Sequence, residues 1–153
     1  MPAMLTLSGL DDLVARVGQD LGTSDAVVAT QADVDDFARL TGDRQWIHVD
    51  PERAASSPFG GTIAHGYLTL ALGPALVDQV VAFDGFSHRL NYGLDRVRFP
   101  APLPVGSTVR ARVTLTACTP VSGGAQVTMV VTLLRDGSDK PVCVAETLTR
   151  VFV

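Results

Sequence analysis

From Ser107 to Thr119 apolar and polar residues alternate: Val109, Ala111, Val113 and Leu115 against Arg110, Arg112, Thr114 and Thr116. A period of two predicts a strand with one buried face and one wet face. Three neighbouring stretches share this strand chemistry: Ser87 to Phe99, Ala125 to Arg135 and Pro141 to Val153. Turn signals separate them, first Pro100, Pro102 and Pro104, then Gly123-Gly124, then Asp136-Gly137. The second half of the chain therefore predicts an antiparallel meander of four strands.

The first half has a different rhythm. Ser8 predicts a helix cap, with the helix running to Val17 and stopping at Gly18. A short strand is expected over Ala26 to Ala29. Thr30, with Asp33 three residues on, predicts the start of a second helix. Val34, Phe37, Ala38 and Leu40 form its apolar face, and Thr41-Gly42 ends it. Asp43 to Ala64 contains Pro51, Pro58, Gly60 and Gly61, so it reads as irregular. Pro51 can open a brief helix over Glu52 to Ala55.

Gly66 to Val81 carries no charge before Asp78. A helix this apolar must be covered on most sides, and Gly73-Pro74 predicts a bend within it. Its span of roughly 24 Å is short of a bilayer core of roughly 30 Å, which favours a buried helix. A sheet wrapped on that helix gives an α+β fold, and 153 residues fit one domain spanning 1–153.

Charge narrows the classes of partner. The net charge of −4 opposes global attraction to nucleic acid or an anionic membrane. Arg89, Arg96, Arg98, Arg110 and Arg112 form a local basic stretch, read as solvent-facing strand positions or as contacts to ligand phosphates. Cys118 and Cys143 have neither metal spacing nor a CxxC pattern. They read as reduced, packed thiols in a cytoplasmic setting. Met1 to Leu10 lacks the basic-then-apolar order of a secretory leader, so none is expected there.

Two runs carry candidate chemistry. The first is Thr41-Gly42-Asp43-Arg44-Gln45-Trp46-Ile47-His48. Five residues past a helix end can fold back so that Asp43 and His48 reach one water, and an imidazole suits proton transfer near neutral pH. An Asp after a helix is equally at home as a cap or turn former. The second run is Phe59-Gly60-Gly61-Thr62-Ile63-Ala64-His65-Gly66. Gly66 opens the apolar helix, so its N–H lacks an intrahelical acceptor and can meet developing negative charge on an oxygen. Alternatively, Gly66 only allows close packing. His65 reads as structural, with a ring nitrogen bonded to nearby backbone, and His88 as a strand or loop residue.

These two runs resemble the MaoC-like dehydratase family, which includes the (R)-specific enoyl-CoA hydratases. The first is similar to that family's motif of Thr/Ser-Gly-Asp, then Asn-Pro, an aliphatic residue and His. The second is similar to its Phe-Gly…Ile-Ala/Val-His-Gly segment. Together they extend the resemblance from about Gln31 to Val153. Gln45-Trp46 stands where the family has Asn-Pro, which resembles the nodulation-protein-N-like branch.

The resemblance implies a hotdog fold and hydration of trans-2-enoyl thioesters to (R)-3-hydroxyacyl thioesters, or the reverse dehydration. It implies Asp43 and His48 as the catalytic pair holding the water that adds to C3. It implies Gly66 as donor to the thioester oxygen; Gln45, whose amide can meet a water, and His65 are read from their own positions as supporting residues. It implies an acyl-CoA or acyl carrier protein substrate, no metal or redox cofactor, and a homodimer joined edge to edge. Hydrolysis by a hotdog thioesterase, or non-catalytic binding of acyl thioesters, are the alternatives.

Overall fold

The computed structural model describes residues 3–153. In chain order the elements are β1 (Leu5–Ser8), α1 (Gly9–Ala15), β2 (Asp20–Thr23), β3 (Val27–Val28), α2 (Gln31–Thr41), α3 (Trp46–Val49) and α4 (Pro51–Ala55). The second half holds α5 (Gly66–Ala71), α6 (Gly73–Val80), β4 (Val81–Asp84), β5 (His88–Arg98), β6 (Thr108–Val121), β7 (Gly124–Arg135) and β8 (Cys143–Phe152). No helix among the described residues is long and apolar enough to cross a membrane.

The main sheet runs β2-β6-β7-β8-β5, and β3 adds to β6. Every pairing in it is antiparallel. Alternation in β6 places Val109, Ala111, Val113 and Leu115 inward, all fully buried. They meet Leu68, Leu76 and Val80 of the apolar helix in one core. A sheet curled on α5 and α6 is the expected hotdog arrangement, in the α+β class. The predicted bend or break at Gly73-Pro74 takes the form of a one-residue break: α5 stops at Ala71 and α6 restarts at Gly73, with Pro74 in its first turn, where a missing N–H costs nothing.

The predicted caps on α2 are both present. Thr30 Oγ1 accepts from the Asp33 N–H at 3.1 Å, and Asp33 Oδ2 accepts from the Thr30 N–H at 3.0 Å, closing a capping box. At the other end Gly42 adopts φ +82° and donates its N–H to Ala38 O at 2.9 Å. The chain leaves the helix there in a direction set by this left-handed residue.

Several expectations need correction. Ser8 stands at the cap position of α1, but its side chain makes no cap bond. Asp12 Oδ2 instead accepts the Ser8 N–H at 3.0 Å, and the helix stops at Ala15 rather than Val17. The four long strands are not a simple meander. β5 lies beside β8, not beside its successor β6, because the segment after Arg98 passes along the irregular 62–64 stretch before β6 begins. β1, β2 and β4 are too short for periodicity to reveal.

The apolar helix is also less covered than its sequence demands. Tyr67 is 75% exposed, and Ala71 and Pro74 are open beside it. The facing edge strand β5 exposes Leu90, Tyr92 and Leu94.

Candidate functional site

Asp43 follows the Gly42 turn directly, in the link between α2 and α3, and its side chain is exposed. The chain then winds into α3, a four-residue helix that sequence reading placed in a loop. Trp46 takes the first helical position, and the Arg53 guanidinium of α4 stacks over its ring at 4.2 Å. That cation–π contact joins α3 to α4 without the rigid bend a proline would supply.

His48 points inward and is almost fully buried. Its Nδ1 lies 2.6 Å from the Ile63 carbonyl oxygen. A carbonyl can only accept, so Nδ1 carries a proton and Nε2 is the nitrogen left for chemistry. The acceptor is itself immobile. The Ile63 N–H donates to Ile47 O at 3.0 Å, the Ala64 N–H to Leu103 O at 2.8 Å, and the Val105 N–H to Thr62 O at 2.9 Å.

Gln31, which sequence reading passed over, ties these pieces together. Its Nε2 donates to His48 O at 2.8 Å and to Asp35 Oδ1 at 2.9 Å, and its Oε1 accepts from Thr62 Oγ1 at 2.6 Å. Nothing in its sequence neighbourhood marks a residue whose partners lie 17 and 31 positions away.

His65 precedes α5 and is 2% exposed. Its ring stacks on His48 with centroids 4.0 Å apart and planes 26° apart, and the Phe37 ring meets it tilted at 54°, with centroids 4.9 Å apart. Nε2 donates to the Asp43 carbonyl at 2.9 Å, the backbone bond its sequence position suggested. Nδ1 is buried without a partner.

Asp43, His48 and His65 thus present nitrogen or carboxylate atoms all within 4.8 Å of one another. As a metal donor set the trio is poor. One nitrogen of each ring already serves a carbonyl, and the remaining His65 nitrogen is sealed from solvent. The trio suits proton exchange with a small molecule held beside the Asp43 carboxylate.

Gly66 opens α5, where no intrahelical acceptor exists for its N–H. The Phe99 ring covers its Cα closely, so both readings of this glycine, free donor and tight packing, have a structural basis. Gln45 is exposed and its side chain makes no cap bond; its carbonyl accepts the His48 N–H at 3.0 Å. His88 is elsewhere, stacked on Phe152 at 4.8 Å.

The main cavity, about 570 Å³, begins one residue past Gly66 at Tyr67. It runs between the open side of α5–α6 and the inner faces of β7 and β8, past Leu70, Val77, Met129, Val131 and Leu133. Asp43, His48 and Gly66 do not line it; Gly66 is the chain neighbour of its lining residue Tyr67.

The basic stretch is mostly neutralised in place. Arg89 pairs with Asp78 at 3.1 Å, Arg110 with Asp136 at 3.2 Å, and Arg112 with Asp20 at 2.6 Å. Arg112 holds the Asp20 carboxyl below its ordinary range. Arg98 donates to the Val97 carbonyl, and Arg96 has no ion pair among the described residues. Arg96, Arg98 and Arg112 are exposed strand positions, whereas Arg89 and its partner Asp78 also line the cavity.

A family model described as "MaoC like domain" matches residues 12–136. The chain is 51% identical over 148 residues to 3-hydroxyacyl-thioester dehydratase Z of Mycobacterium tuberculosis, covering 96% of this chain and 98% of that one. It is 50% identical over 116 residues to nodulation protein N of Rhizobium leguminosarum, covering 71% and 69%. Among solved structures it resembles the (R)-hydratase from A. caviae involved in PHA biosynthesis, with TM-score 0.71 and 27% identity over 87% of this chain and 94% of that one.

Proposed function

The chain belongs to the MaoC-like dehydratase family, and from that premise we propose that it catalyses (R)-specific hydration of trans-2-enoyl thioesters and the reverse dehydration, with Asp43 and His48 as its acid–base pair. The family's dehydratases and hydratases work on 3-hydroxyacyl thioesters and their enoyl counterparts. The observations that carry the assignment to these residues are a His48 ring nitrogen within 4.8 Å of an Asp43 carboxylate oxygen and the bond from His48 Nδ1 to Ile63 O, which leaves Nε2 as the nitrogen for chemistry.

A water held between the two groups loses a proton to the pair as its oxygen bonds C3. The C2–C3 double bond shifts its electrons toward the thioester carbonyl, whose oxygen takes enolate-like charge. The Gly66 N–H donates to that oxygen. A proton from the pair then reaches C2 on the same face, completing the (R)-3-hydroxyacyl thioester. The acid and base roles are assigned to the pair rather than divided between its members. The sequence of steps is a proton relay and needs neither a metal nor a redox cofactor.

The cavity beyond Tyr67 supports a bound acyl tail. Its 570 Å³ falls in the range of small-molecule sites, and Leu70, Val77, Met129 and Val131 give it an apolar wall, with the Arg89–Asp78 pair also on its lining. The thioester carrier is coenzyme A or acyl carrier protein. An unpaired edge with Leu90, Tyr92 and Leu94 exposed supports a homodimer joined along β5. Free Cys118 and Cys143 fit a reducing, cytoplasmic setting.

Incubating the protein with crotonyl-CoA tests the reading. Loss of the conjugated-enone absorbance without release of thiol, and oxidation of the product by an (R)-specific 3-hydroxyacyl-CoA dehydrogenase, are expected. Thiol release would replace this reading with a thioesterase. No change in either signal would leave a non-catalytic thioester binder.

A further inference from the structure

We propose that His65 is the positioning residue of the acid–base pair: it anchors Asp43 through its backbone carbonyl and backs the His48 ring, and so sets the separation of the two groups. The proposal rests on the assignment of Asp43 and His48 above.

Asp43 needs such an anchor. It sits in the exposed link between α2 and α3, and local bonding there is weak, with the Asp43 N–H 3.4 Å from Thr41 Oγ1. The tertiary bond at this point is the one from His65 Nε2–H to Asp43 O, at 2.9 Å across 22 residues of sequence. The same ring lies against His48 at 4.0 Å and also packs against the tilted Phe37 ring at 4.9 Å. His65 is rigid in its turn, because its carbonyl accepts from both the Thr69 N–H and Thr69 Oγ1 at 2.9 Å.

The unpartnered Nδ1 sharpens the argument. Burying a polar nitrogen without a partner is unfavourable. A phenylalanine would keep ring contacts to Phe37 and His48 without that penalty. What imidazole adds to a phenyl ring here is one N–H directed at Asp43.

Two variants separate positioning from packing. His65→Phe keeps an aromatic stack and deletes the donor; His65→Gln restores an amide N–H at a similar reach. Displacing a catalytic group by about 1 Å can cost on the order of 100-fold in rate. With crotonyl-CoA, His65→Phe should therefore lose on the order of 100-fold in kcat with KM little changed. His65→Gln should recover most of that loss. Parent-like kcat in a folded His65→Phe, or no recovery in His65→Gln, would overturn the proposal.

Crystal structures of the parent and His65→Phe give a readout free of activity. The Asp43 carbonyl should move away from its parent position in the variant, and an unmoved Asp43 would refute the anchor. If the parent protein hydrates no enoyl thioester, the functional reading fails by itself, and these two structures still decide the anchoring claim.

Discussion

The Phe99 ring packs so closely over Gly66 that a Cβ at position 66 would stand 3.1 Å from Cε2 and 3.2 Å from Cδ2. Phe99 is partly exposed, so the ring can yield by a few tenths of an ångström. This contact separates the two roles of Gly66. Gly66→Ala adds the methyl group and keeps the N–H. Gly66→Pro adds comparable bulk and deletes the N–H, and proline suits the first position of a helix. His65, with φ −58° and ψ 141°, already has the backbone a residue before proline prefers. Both variants should fold. Loss of one oxyanion donor costs about 2.7–4 kcal/mol in transition-state stabilisation, so Gly66→Pro should turn over roughly 100- to 1,000-fold more slowly than Gly66→Ala. Equal rates for the two would assign the glycine to packing alone.

Asp43 and His48 call for different substitutions because their surroundings differ. The Asp43 side chain is exposed, so Asp43→Asn should leave thermal stability near that of the parent. His48→Ala would strand the buried Ile63 carbonyl at about 1–3 kcal/mol. His48→Asn keeps an amide near the Nδ1 position and removes Nε2, which isolates the chemistry. Each of Asp43→Asn and His48→Asn should lower kcat by about 10²- to 10⁴-fold, the usual contribution of a general acid or base. Steady-state hydration rates beside melting curves check this; near-parent turnover in either variant would dismiss the pair.

The capping box predicts a pH-dependent contribution to stability. Hydrogen bonds from the Thr30 side chain and then its backbone lower the Asp33 carboxyl below 3.8. A carboxyl depressed in the folded state stabilises fully above its unfolded value and loses that effect as acid protonates it. Thr30→Ala should cost about 0.5–2 kcal/mol at neutral pH. The gap between variant and parent should narrow below pH 3.8, measured by urea unfolding at both pH values. A constant gap would mean that the carboxylate takes no part in the cap.

Association along β5 predicts sensitivity to charge there. Tyr92 is 55% exposed, with the Arg150 guanidinium 3.5 Å from its ring centroid. Leu94→Glu with Tyr92→Glu should convert a two-chain species to a one-chain species in sedimentation equilibrium. An unchanged mass would place any interface elsewhere.

How far the sequence could be read varied with the range of each interaction. The α2 caps were legible because Thr30, Asp33 and Gly42 act on their own helix. β6 was legible because its inward residues share one face over many positions. The place of β5 beside β8 was not, since pairing order is decided across the whole sheet rather than along one strand. Asp43, His48 and Gly66 were found through motif resemblance, whereas Gln31 escaped because its bonds to His48 and Thr62 span distant segments. His65 was recognised as backbone-bonded, but its stacking on His48 is a tertiary fact without a local signature. The open side of α5–α6 defied its composition because an apolar helix records that cover is needed without recording which chain supplies it.

The strand order also bears on when the molecule can close. β5 emerges from the ribosome before β6 and β7, yet its neighbour in the sheet is β8. Throughout that interval its backbone donors and the side chains of Leu90, Tyr92 and Leu94 have no companion within their own chain. Such delayed, non-local pairing slows folding and leaves an adhesive edge on the nascent protein. Synthesis of β8 is therefore the event that gives β5 its one neighbour in the sheet, and the far side of β5 stays open in the single chain.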